Sequence, residues 1–264
     1  MDPTTFRMMM GAAASSPVGQ ALWAGEQVNA LTASFVVPAN VFKLCAVVVG
    51  PGERGSSGWN GPGTGGRGGR GSDLRSINDL PVVPGETLTI SIAASSSPNP
   101  GARILRGSSV LLSAIASNVG STAIGAGPFG GTVGGGNGGN QGFGPDGSST
   151  RCSGGGGAGG YSGNGGRGAD AESSSNAQPG QGGGGAGGNS DRISGQDGGN
   201  VGLGGEGPSG TAPSSDGSPF GLNAFGGGGA GDTGGQPVGG WGGIRIIWGD
   251  NRAFPSTRTA DEFQ

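Results

Sequence analysis

A Val-rich stretch, CAVVVGPGERG, runs into Gly50, Gly52 and Gly55, and Asp73 lies downstream. A strand, then G-x-G-x-x-G, then a later acid is the order a dinucleotide site uses, with pyrophosphate held at the N-terminus of a helix opening at the third glycine. From Gly55 onward the chain reads GSSGWNGPGTGGRGGRG, in which no helix can start, so the sequence argues against nucleotide binding. Within that run, GGRGGRG places Arg67 and Arg70 like a short RGG box of the kind that tracks single-stranded nucleic acid. The chain carries a net charge of -3 and its only lysine is Lys43, so the basic field such binding needs is missing and no nucleic-acid partner is expected. The reading is a loop whose arginines bond backbone carbonyls.

Other candidate chemistry is equally thin. Asp191 and Asp197, among Gly and Asn, resemble a calcium-binding nonapeptide repeat, but its G-G-x-G-x-D unit with an apolar pair does not recur, so no metal is assigned. Asp170 and Glu172 stand two apart in a Ser-rich loop, where carboxylates are solvated rather than paired for acid/base work. With no His and two Cys, nucleophile triads and zinc clusters lack members. Cys45 sits in an apolar run and Cys152 in a Gly-rich one, and they read as two unrelated thiols rather than a disulfide. No catalytic residue, cofactor or enzyme activity is expected.

The elements that must position any site divide into two materials. Of the 264 residues, 69 are Gly and 17 are Pro, far above average usage, and 51 of those glycines fall between residues 120 and 243. Hydrophobic residues make up 31% and aromatics 5%, too few for a conventional core across the chain. Between Leu31 and Ser117, SFVVPANVFKLCAVVVG, SDLRSINDLPVVPGETLTISIAAS and ARILRGSSVLLSAIAS read as short strands bounded by Pro, Gly and Asn. Leu88, Ile90 and Ile92 alternate with Thr87, Thr89 and Ser91, the period-2 mark of a strand with one buried face. The last strand, residues 242–249, places Ile244, Ile246 and Trp248 on one face and Arg245 and Ile247 on the other. A strand this late needs partners from the first half. The expected fold is therefore all-β: a jelly-roll-like β-sandwich formed by residues 31–119 with 242–264, little helix except near the N-terminus, and residues 120–241 as a long excursion. Residues 1–30 are expected to be an anchoring segment that docks on partner proteins. No apolar run approaches the roughly 20 residues of a membrane-spanning helix, and no membrane insertion is expected.

The excursion repeats itself unevenly: GGGGAGG at 154–160 and 182–188, GGGGAG at 226–231. Glycine does not recur strictly every third residue, which excludes collagen. Ordering a glycine costs roughly 0.5–1 kcal/mol more than ordering an alanine, so an ordered layer needs an offset that only glycine can supply. Extended chains of three residues per turn can pack side by side where no Cβ intervenes and exchange N–H to carbonyl bonds. The runs Gly154, Gly155, Gly156 and Gly157, then Gly182, Gly183, Gly184 and Gly185, then Gly226, Gly227, Gly228 and Gly229 are expected to be rods of such a polyglycine II lattice. Trp59, Phe129, Phe143, Tyr161, Phe220, Phe225 and Trp241 lie in or beside this material. They either plug the lattice or stand on loop tips as a recognition surface; Phe143, Tyr161, Arg167 and Phe220 are the candidates for receptor contact.

The sequence resembles the glycine-rich virion proteins of tailed bacteriophages. The likeness rests on Phe35, Val37 and Pro38; on Val83, Pro84, Gly85, Glu86 and Thr87; on Gly243, Ile244, Arg245, Ile246, Ile247, Trp248 and Gly249; and on Arg252, Phe254, Pro255, Ser256 and Thr257. It covers residues 35–264. The resemblance implies a virion structural protein of tail-fibre or adhesin type, exposed on the particle, with the inter-run loops 137–153, 161–181 and 189–225 as the contact surface for a bacterial receptor or glycan. Other virion proteins, held through the N-terminal segment, and further copies of the chain, a trimer favoured, are the expected partners. A purely architectural virion protein, in capsid decoration, head fibre or tail, is the alternative. A glycan-cleaving spike would need two carboxylates about 5 to 9.5 Å apart in a groove.

Overall fold

The computed structural model describes residues 17–25, 29–58, 65–94, 97, 101–116, 132–143, 151–172, 176–192, 194–211, 225–233 and 237–255. Among them the chain is all-β and contains no helix. Nine strands, β1 (Gly19–Ala24), β2 (Leu31–Val36), β3 (Lys43–Val49), β4 (Leu74–Pro81), β5 (Thr87–Ile92), β6 (Gly101–Arg106), β7 (Ser109–Ile115), β8 (Thr132–Gly134) and β9 (Gly243–Trp248), form two antiparallel sheets. One sheet has the order β1-β9-β3-β4-β8, the other β2-β5-β6-β7. The second sheet ends in a β5-β6-β7 meander, where a jelly roll would cross between sheets at most steps.

The sheets share one apolar core. Leu44, Ala46 and Val48 of β3, Ile77 and Leu80 of β4, and Ile244 and Ile246 of β9 meet Phe35, Leu88, Ile90, Ile92, Ile104 and Leu112 of the facing sheet. Trp248 packs at the margin of the same core, its ring centroid 5.6 Å from that of Phe35. The alternation in TLTISI arises because β5 buries one face. The unbroken apolar run of β3 has a different cause. Its other face, Cys45, Val47 and Val49, is covered by a second cluster with Leu74, Ala158, Tyr161, Val201, Leu203, Phe225, Ile247 and Phe254, so a strand lying between two layers has no polar side. The five-stranded sheet is thus the middle layer.

Three boundaries differ from the sequence expectation. Residues 19–24 do not belong to an N-terminal docking segment; as β1 they pair along their whole length with β9, from Gly19↔Trp248 to Ala24↔Gly243. GQALWA is short and has no β-branched residue, so its strand character comes from the β9 edge it meets. Residues 1–16, with the helix expected there, lie outside the described residues. Residues 50–58 and 65–73 join the glycine-rich layer rather than the sheets, and β8, from inside the excursion, pairs with β4.

In the glycine-rich layer the backbone hydrogen bonds recur every third residue. Gly154, Gly157 and Gly160 donate to the carbonyls of Ala169, Gly166 and Gly163; Gly155 and Ala158 donate to Gln196 and Gly199; Ser153, Gly156 and Gly159 donate to Gly66, Gly69 and Ser72. The carbonyls of the same run accept in turn, Gly160, Gly157 and Gly154 from Gly136, Gly139 and Gly142, Ala158 and Gly155 from Gly185 and Gly188, and Gly156 and Ser153 from Gly228 and Gly231. Residues 153–160 are therefore enclosed by six other stretches of chain and bonded to each. A Cβ on Gly154, Gly155, Gly156, Gly157, Gly185, Gly227, Gly228 or Gly229 would land on a neighbouring backbone, at Gly156 on the Gly139 carbonyl. Gly182, Gly183 and Gly226 have φ of 51°, 78° and 84° and turn the chain between stretches. At Gly184 a Cβ would stand 3.0 Å from the carbonyls of Ala158, Asn164 and Gln181.

Candidate functional site

The seam between the middle sheet and the glycine-rich layer holds two of the singled-out side chains. Tyr161 is 3% exposed. Its ring stacks on Phe254 with centroids 6.0 Å apart, and its hydroxyl donates to the Gly202 carbonyl at 3.1 Å. The turn that joins Gly160 to Gly163 carries the ring inward, which removes Tyr161 from any contact surface. Arg245, on the β9 face away from the main core, is fully buried and donates to Gln20 Oε1 from Nη2 at 2.8 Å and to the Leu203 carbonyl from Nη1 at 3.1 Å. It ties β1 and the glycine-rich layer to one strand. Phe254 is fixed by reciprocal bonds with the Asn78 amide, its N–H donating at 2.8 Å and its carbonyl accepting at 2.6 Å.

Burial at this seam has a pH consequence. It pushes the Tyr161 phenol above its ordinary 10.0, and the Cys45 and Cys152 thiols above their ordinary 9.0. Each group stays protonated in the fold while the unfolded chain ionises, so its contribution is complete below its unfolded value and is lost as pH rises. Burial lowers Arg245 to about 10 from 12.5, a cost to the fold that is complete below about 10 and is relieved only as pH rises from there towards 12.5. The melting temperature is expected to begin falling above about pH 9. Tyr161→Phe should melt lower than the parent at pH 7, by about 1 kcal/mol for the lost bond. That gap should narrow as pH passes 10, because the variant has no phenol to ionise; a constant gap in melts from pH 7 to 11 would contradict the assignment.

The other candidates separate. Phe220, like Trp59 and Phe129, lies outside the described residues. Phe225 is buried in the seam, and Trp241 is partly exposed beside it. Phe143 and Arg167 come together on the outer face. Phe143 is 66% exposed, and the Arg167 guanidinium carbon stands 4.9 Å from its ring centroid. Asp170 holds this pair: its carboxylate accepts from Arg167, from the Phe143 N–H at 2.7 Å and from Asn176 Nδ2 at 2.8 Å. Burial would raise the Asp170 pKa, but these hydrogen bonds and the Arg167 charge bring it below the ordinary value.

Beside this pair runs a groove of about 380 Å3 lined by Asn137, Asn140, Asn164, Arg167, Gln178 and Gln181 together with Gly138, Gly139, Gly165 and Pro179. Its backbone is already paired: the Asn137 and Asn140 carbonyls accept from Gly165 and Gly168, and the Asn164 and Arg167 carbonyls accept from Gln181 and Gln178. In sequence these amides look like ordinary loop composition. Their signal is a spacing of three, Asn137-x-x-Asn140-x-x-Phe143, Asn164-x-x-Arg167-x-x-Asp170 and Gln178-x-x-Gln181, the same interval at which the backbone hydrogen bonds of these stretches recur.

The weaker motifs are used structurally. Gly52 and Gly55 donate to the Gly240 and Pro237 carbonyls in extended chain with no helix, and Asp73 accepts from Arg75 at 3.1 Å and from the Gly138 N–H at 2.7 Å. Arg70 Nε donates to the Gln141 side chain at 2.8 Å, and Asp197 accepts from the Ala230 N–H at 2.7 Å. Neither Cys45 nor Cys152 is in a disulfide; Cys45 donates to the Arg252 carbonyl at 3.1 Å and Cys152 accepts from the Gly66 N–H at 3.3 Å. A second cavity, about 700 Å3, opens at the end of the middle sheet between Asn40, Phe42, Lys43, Asp79, Trp248 and Asn251. Asn40, Asp79 and Asn251 have φ of 63°, 54° and 61°; Asn and Asp tolerate this conformation, and all three stand at turns or a strand irregularity. Comparison with known proteins found no matching family model, no matching curated protein and no matching solved structure.

Proposed function

We propose that this chain is a structural protein of a tailed-bacteriophage particle, a fibre or spike tip that presents the outer face of its glycine-rich layer to the host surface, and not an enzyme. The glycine-rich layer is read as polyglycine II rods packed against a β-sandwich. The observation that carries the attachment reading is the combination of an enclosed central run, bonded to its neighbours on all sides, with an exposed face of amides, Arg167 and Phe143. The backbone beneath these side chains is already fixed by hydrogen bonds, so binding orders side chains and no loop. The resemblance of the terminal GIRIIWG and RAFPS segments to phage virion proteins supplies the context. Docking to other virion proteins falls to the chain before β1, and several copies, a trimer favoured, assemble.

Immunogold labelling of intact particles tests this. Label at the tail end, together with purified protein that binds bacterial cells and competes with infection, is the expected result. Label spread over the head, with no cell binding, would favour the architectural alternative instead.

A further inference from the structure

We propose that the groove between Asn137, Asn140, Asn164, Gln178 and Gln181 binds an uncharged, polyhydroxylated glycan whose apolar face lies on Phe143. This deepens the attachment reading and rests on it. Each carboxamide offers a donor pair and an acceptor, the complement of a sugar hydroxyl, which both donates and accepts. Asn137 Oδ1 accepts from Arg75 Nη2, and Asn164 Oδ1 accepts from the Asn137 N–H at 2.9 Å, which fixes two of the amides by their oxygens and leaves their NH2 groups as donors. The side chains of Asn140, Gln178 and Gln181 are exposed, and no hydrogen bond from them to another described residue competes with a ligand.

Charge and spacing narrow the class. No carboxylate and no lysine lines the groove, and its single cation, Arg167, is occupied by Asp170. An ionic ligand would find no free counter-charge. A residue spacing of three at about 3.1 Å per residue sets the side chains on each stretch roughly 9 Å apart, close to the length of a disaccharide unit, and Phe143 continues the Asn137–Asn140 line at the same interval. A protein strand is disfavoured because it would need unpaired backbone along the groove, and the carbonyls of Asn137, Asn140, Asn164 and Arg167 already accept.

The test uses the full chain, an array of neutral and acidic bacterial polysaccharides, and two variants, Asn140→Ala/Gln178→Ala/Gln181→Ala and Phe143→Ala. The parent should retain neutral polysaccharides, the triple variant should bind them at least about tenfold more weakly, and Phe143→Ala should lose several-fold, with melting temperatures of both variants close to the parent's because the altered side chains are exposed. Retention of acidic polysaccharides only, or undiminished binding by the triple variant, would overturn the proposal. Cell binding separates it from the reading beneath it. If the protein still binds cells whose vicinal diols have been oxidised by periodate, and loses binding to protease-stripped cells, attachment stands and the glycan falls; if it binds neither cells nor polysaccharides, both fall.

Discussion

Gly156→Ala is expected to destabilise the chain by about 4 kcal/mol or more, an effect reserved for severe core disruption. The added methyl group would stand on the Gly139 carbonyl. It cannot move aside, because Gly156 donates to Gly69 and its own carbonyl accepts from Gly228, with the flanking residues bonded to four further stretches. Relief at one contact must break bonds at another. Gly156→Val should be at least as severe. Gly184→Val meets three carbonyls at 3.0 Å, near the layer's turn, and should also lower the melting temperature, by less. Gly107→Ala is the control: its φ is 60° with no atom within 4 Å of the added methyl, so it should cost only the roughly 1–2 kcal/mol of a left-handed residue. Thermal melts of the variants check this order. Unchanged melting at both 156 and 184 would contradict a layer ordered by close backbone packing.

A chain ending at Gly240 is expected not to fold. It lacks β9, which stands between β1 and β3. β1 then has no partner strand among those described, since it pairs only with β9. The main core loses Ile244 and Ile246, and the seam loses Ile247 and Phe254. Buried residues of this size each contribute several kcal/mol, which together approach the whole stability of an ordinary domain. Circular dichroism and urea titration of the truncated chain are the measurement; a cooperative transition at the parent's midpoint would mean that the two layers fold without their shared strand. A milder probe is Arg245→Lys, which keeps the charge but loses the paired contact with Gln20 and should cost about 2 kcal/mol.

Much of the sheet architecture was legible. The alternation in TLTISI and the faces assigned to Ile244, Ile246 and Trp248 against Arg245 and Ile247 match the core and seam clusters. β1 was not legible, because GQALWA has no β-branched residue and only Trp23 favours a strand; the segment acquires its pairing from β9, more than 200 residues later. The role of residues 50–73 was hidden for a related reason: a glycine stretch looks the same in sequence whether it is a loop or a bonded member of a layer. Among the contact candidates, Tyr161 and Phe143 have similar Gly-rich surroundings. One turn sends Tyr161 into the seam, while Asp170 and Arg167 hold Phe143 on the outside.

By itself the sequence determined that the chain is built from β-strands and a glycine-rich excursion, that its last strand must return to the first half, and that it holds no histidine and two cysteines. Composition and period, which are local properties, were enough for that. Only the tertiary structure decided which glycines lie inside, which aromatics face out, and that Asn137, Asn140, Asn164, Gln178 and Gln181 share one groove. The physical reason is that a glycine has no side chain to mark its environment. Its surroundings are set by hydrogen bonds between stretches far apart in the chain, such as Gly156 to Gly69 and Gly228 to Gly156, and pairings of that range leave no periodic trace in either partner.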